Sequence, residues 1–118
     1  MATLDSVRRI VLGLDGVSED ADSRFRVAGK LLCWPWLERV DPRRARVPNR
    51  DVLVVRVASE DEKHALIALD DAAFFTEPHY DGYAAVLVRL AAVDPALLER
   101  VLTNAWRVVS APSRRRHR

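Results

Sequence analysis

Apolar residues in this chain switch between helical and strand spacing in a legible order. From Thr3, placed as an N-cap, Leu4, Val7, Ile10, Val11 and Leu14 recur three and four residues apart, which predicts an amphipathic helix stopped by Asp15-Gly16. Phe25 and Val27 then alternate with Arg24 and Arg26, so Phe25 to Trp34 predicts two short strands around a turn at Gly29-Lys30. Pro35 has no N–H to offer a ladder, and Trp34-Pro35-Trp36 is expected at a strand terminus or an edge.

Residues 37–50 carry two prolines, five arginines and no period, the pattern of a long exposed hairpin connection. Asp51 to Val57 is β-branched and apolar, hence a buried strand. Ser59 and Glu62 read as a capping box for a helix through Leu66 and Leu69 that ends near Asp70-Asp71, with His64 on its surface. Phe74 to Thr76 and Ala85 to Leu90 are the last strands. Asp94-Pro95 opens a final helix over about 95–109, where Leu98, Val101, Leu102, Ala105, Trp106 and Val109 form one apolar stripe.

Helix, three strands, helix, two strands, helix is the order of an α+β chain: a two-layer sandwich with a mostly antiparallel sheet and flanking helices. A length of 118 residues suits one domain, taken as 1–110, followed by a basic tail at 111–118 that is expected to be disordered.

Charge adds less than it first promises. The formal net charge is +2, but Arg114, Arg115, Arg116 and Arg118 supply four of the 19 basic groups. The remaining 15 face 17 acidic residues, so the folded body is slightly acidic and the basic character belongs to the tail. The single cysteine, Cys33, excludes an internal disulfide and sits in an apolar run as a small buried hydrophobe. The start of the chain lacks the basic and apolar blocks of a signal peptide, and no apolar stretch is long enough to cross a bilayer. A cytoplasmic bacterial protein is expected.

Candidate chemistry concentrates between Phe74 and Tyr83. Glu77, His79 and Asp81 are spaced by two and would face one side of an extended segment, where they could bind a metal or exchange protons. Residues so close along an extended chain diverge unless Pro78 and Gly82 turn them together, so His79 and Tyr80 are read as local anchors. No catalytic set, metal site or cofactor is assigned, and an enzyme is not expected. Two binding readings remain. In the leading one, Arg43, Arg44, Arg46 and Arg50, with the tail arginines Arg114, Arg115 and Arg116, hold nucleic acid weakly and in a salt-sensitive way. In the alternative, Trp34, Trp36, His79, Tyr80 and Tyr83 form a surface for a protein partner or a small ligand.

With these residues laid out, the chain resembles the bacterial MmcQ/YjbR family. The matching features are the helix ending Leu14-Asp15-Gly16-Val17-Ser18-Glu19, the hairpin Phe25-Arg26-Val27-Ala28-Gly29-Lys30-Leu31, and His79-Tyr80-Asp81-Gly82-Tyr83 leading into Val86-Leu87-Val88-Arg89-Leu90. The Asp94-Pro95 helix through Trp106-Arg107 completes the pattern, so the resemblance covers residues 4–109. It implies a double-wing, CyaY-like α+β sandwich. It also implies a DNA-binding role, by likeness to a phage transcription factor's DNA-binding domain. The chain departs from the family pattern in Asp15, where a proline is usual, and in the arginine-rich 37–50 connection.

Overall fold

A computed structural model describes residues 1–111. Six antiparallel strands form one sheet in the order β1-β2-β3-β4-β6-β5, and three α-helices lie against one of its faces. The strands are β1 (Val17–Asp20), β2 (Arg24–Val27), β3 (Lys30–Glu38), β4 (Val47–Arg56), β5 (Phe74–Phe75) and β6 (Ala85–Arg89). The helices are α1 (Leu4–Leu12), α2 (Glu60–Leu69) and α3 (Pro95–Ser110). This is the expected α+β sandwich with an antiparallel sheet.

Helix ends follow local chemistry. The Thr3 hydroxyl accepts from the Ser6 N–H at 3.3 Å and the Ser6 hydroxyl accepts from the Thr3 N–H at 3.1 Å, a reciprocal cap that opens α1. At α2 the Ser59 hydroxyl accepts from Glu62 N at 3.1 Å, but the Glu62 carboxylate reaches one residue further back, to Ala58 N at 2.7 Å. The box is therefore not the reciprocal one expected from Ser59 and Glu62. Asp94 caps α3 by accepting from Leu97 N at 3.1 Å, with Pro95 at the first helical position, as read from sequence.

Strand periodicity sorts the side chains between two faces. Phe25, Val27, Leu53, Val55, Phe74, Val86 and Val88 point at the helices and join Val7, Val11, Leu98, Leu102 and Ala105 in the main core. Trp34, Val52, Val54, Ala85 and Leu87 point the other way, where no helix lies over them, and pack with Tyr80, Leu31, Trp36 and Phe75 in a second, smaller cluster. Both faces of the central strands are therefore apolar, which explains the unbroken run Val52-Leu53-Val54-Val55.

Four further expectations need correction. β1 was not foreseen, because Val-Ser-Glu-Asp is an edge strand with only Val17 even half-buried, and such a strand has no apolar alternation to read. The β2–β3 turn centres on Ala28-Gly29, both with positive φ (53° and 79°), one residue before the expected Gly29-Lys30. That is the geometry of a two-residue hairpin whose twist matches the strands it joins. Pro35 does not end β3. It lies opposite Leu53, and the register breaks between Pro35 and Trp36, whose own partner is Asn49, so the missing N–H falls where the ladder is interrupted. Finally, the 37–50 connection is shorter than expected: Leu37 and Glu38 still pair with Pro48 and Val47, which leaves residues 39–46 as the link.

Candidate ligand-binding site

The helix-free face owes its shape to the segment that joins β5 to β6. Glu77 Oε1 accepts from the His79 N–H at 3.3 Å and caps a short 3-10 turn over Pro78–Tyr80. Tyr83 N then donates to Tyr80 O at 3.0 Å, and Gly82, with φ of 75°, lets the chain reverse into β6. The turn folds the Tyr80 ring onto the second apolar cluster. From the helix side Lys63, only 1% exposed, donates through Nζ to the Tyr80 carbonyl at 2.8 Å and lies 3.1 Å from Glu60 Oε2. The segment is thus held from both sides of the sheet.

Between this segment and strands β2 and β3 lies a cavity of about 430 Å³ lined by Arg24, Leu31, Trp34, Leu37, His79, Tyr80 and Tyr83. The rings are ordered against one another. His79 meets Tyr80 edge-on at 5.0 Å and 87°, while Tyr80 and Tyr83 are tilted by only 31° with centroids 5.9 Å apart. Arg56 sits over the Tyr83 ring at 5.8 Å, and further along the same face Arg89 covers Phe75 at 4.0 Å. Burial pushes the Tyr80 hydroxyl above its ordinary pKa; the Trp34 indole lowers it, Glu77 and Tyr83 raise it, and Arg46 lowers it.

Four of the five residues expected at a ligand surface, Trp34, His79, Tyr80 and Tyr83, line this cavity. Trp36 packs in the same apolar cluster, edge-on to Phe75 at 5.9 Å, with its Nε1 buried and without a hydrogen-bond partner among the described residues. The arginines of the expected nucleic-acid surface have different partners. Arg46 is half-buried and donates to Leu37 O at 3.0 Å, while Arg50 donates to the Ser23 hydroxyl at 3.1 Å. Arg44 lies 3.6 Å from Asp41, and Arg43 is exposed on the same link. Arg114, Arg115 and Arg116 lie outside the described residues.

Glu77, His79 and Asp81 do not gather. His79 and Asp81 are exposed, the Glu77 carboxylate caps the turn, and no group of three metal-ligating side chains occurs among the described residues. Cys33 is buried, and burial pushes its thiol above the ordinary range, away from the reactive thiolate. Among the described residues no helix is long and apolar enough to cross a membrane.

Sequence reading overlooked Arg24, Leu31 and Leu37 in the lining. Arg24 was visible as the polar partner of Phe25 in the β2 alternation; nothing showed that its face would meet residues 79–83, some 55 positions away. Lys63 carried a fainter signal, its three- and four-residue spacing from Leu66 and Ile67 on the face of α2 that packs on the core.

The sequence profile of the YjbR family matches residues 12–108. The chain belongs to the YjbR family. Its relatives include uncharacterised proteins of Mycobacterium tuberculosis and Mycobacterium bovis, 45% identical over 95% of this chain and 91% of theirs. No solved structure gives a significant match. The family match spans every element of the helix-free face, from β1 to β6, and so includes the whole lining of the cavity.

Proposed function

We propose that this YjbR-family chain is a non-catalytic binding module whose site is the cavity on the helix-free face. The observation that carries the reading is the convergence of Trp34, His79, Tyr80 and Tyr83 with Arg24 around one concavity of about 430 Å³. Small-molecule sites have this character: a few hundred cubic ångströms, mostly apolar and aromatic walls, and few polar groups. A free, buried Cys33 suits a reducing compartment, in keeping with a cytoplasmic protein.

Thermal melting against a panel of small aromatic and aliphatic compounds tests this reading. Stabilisers are expected among the aromatic members, with shifts that shrink in Tyr83→Ala and His79→Ala. Shifts that survive both substitutions would place the ligand elsewhere.

A second reading is supported by the pairing of guanidiniums with rings on this face, Arg56 over Tyr83 and Arg89 over Phe75, with Arg24 in the lining. Cations interleaved with stacking surfaces are what a nucleic-acid strand needs. Here Arg43, Arg44, Arg46, Arg50 and the tail would add phosphate contacts. Fluorescence anisotropy with a labelled single strand and a labelled duplex, at low and moderate salt, decides it. Binding should weaken with salt and fall when the loop arginines become Ala; absence of binding at low salt contradicts it.

A further inference from the structure

Resting on the small-ligand reading, we infer that the cavity takes a planar aromatic anion, its ring against Tyr83 and its acid group on Arg24. The lining holds four rings and one guanidinium, with no carboxylate. Arg24 is unclaimed: no acidic side chain pairs with it among the described residues. Its cross-strand neighbour is Asp20, but that carboxylate is committed to Arg26 Nε at 2.6 Å. One arginine of β2 is thus neutralised and the next, two residues away on the same face, is left with its charge and its fork of donors open at the cavity. A guanidinium in that state is matched by a carboxylate or a phosphate, which accepts two parallel hydrogen bonds from it.

The aromatic part follows from the rings. Tyr83 lines the cavity and is 42% exposed, tilted 31° from Tyr80, so part of its ring surface is available to a second ring. Arg56 lies over the Tyr83 ring, 5.8 Å from its centroid. A volume of about 430 Å³ lies toward the small end of ligand sites, room for one or two fused rings with a short acidic arm.

Calorimetric titration of the full chain tests the inference with matched probes. These are 2-naphthoate against 2-naphthylmethanol, and adenosine 5′-monophosphate against adenosine and ribose 5-phosphate. At least one planar anion should bind about ten- to hundredfold tighter than its uncharged partner, the worth of a charge-assisted hydrogen bond. Ribose 5-phosphate, which has the charge without the ring, should bind more weakly than the nucleotide. In Arg24→Gln the preference should vanish while the neutral probe keeps its affinity within about twofold, which also shows that the fold is intact. Equal affinity for charged and neutral partners, or a preference that survives Arg24→Gln, overturns the inference. If neither planar anion binds but another compound of the melting panel does so in a Tyr83-dependent way, this inference fails and the binding reading stands. If no compound at all binds in that way, both fail.

Discussion

Lys63 Nζ donates to the Tyr80 backbone carbonyl at 2.8 Å, joining helix α2 to the segment that walls the cavity on the opposite face of the sheet. The lysine is buried, it lies 3.1 Å from the Glu60 carboxylate, and its removal leaves the Tyr80 carbonyl with the Tyr83 N–H as its remaining donor. Lys63→Met, similar in length and apolar, should cost about 1–3 kcal/mol in urea unfolding. The same variant should raise amide exchange at Asp81 and Tyr83, whose N–H groups belong to that turn. Unchanged stability with unchanged exchange would show that the turn holds itself.

Tyr80 predicts a difference at alkaline pH. Its hydroxyl is raised chiefly by burial, so the folded state holds the proton more tightly than the unfolded chain, whose tyrosines titrate near 10. The resulting stabilisation is complete below about pH 10 and is lost as pH rises through the folded value. Stability of the wild type should therefore fall more steeply above pH 10 than that of Tyr80→Phe. Parallel curves would contradict it.

The β2–β3 turn places Ala28 at φ 53°, where a side chain with a β-carbon is strained by roughly 1–2 kcal/mol and asparagine is better tolerated. Ala28→Asn should raise the melting temperature. Ala28→Val, β-branched at the same φ, should lower it. A reversed order would mean that the turn has a different geometry.

Trp106 Nε1 donates to the Asp15 carbonyl at 2.8 Å, tying α3 to the turn after α1 across 91 positions of sequence. Trp106→Phe keeps most of the packing and removes the donor, and should cost about 1–2 kcal/mol. A loss near zero would show that water replaces the bond.

How much was legible depends on whether the signal was local. The three helices were readable because their caps, Thr3, Ser59 and Asp94, and their apolar spacing are local features. The strand β1 was not, because an exposed edge strand is not written in apolar residues, and Pro35 misled because a proline reads as an end unless the partner strand is known to bulge beside it. Trp34, His79, Tyr80 and Tyr83 could be singled out as aromatic and polar groups near turn residues. That they surround one cavity with Arg24 depends on the packing of residues 76–84 over β2 and β3, a relation with no trace in spacing.

The three tryptophans allow the most direct test of the central claim, that the cavity on the helix-free face binds the ligand. Trp34 lines the cavity, whereas Trp106 packs against the helix-side core and is bonded to Asp15. Their indole N–H signals are followed by two-dimensional ¹H–¹⁵N NMR while 2-naphthoate, or the best stabiliser from the melting panel, is added. The Trp34 signal should move in step with saturation and the Trp106 signal should stay in place. A compound that binds while Trp34 stays still, or that moves Trp106 instead, would contradict the assignment.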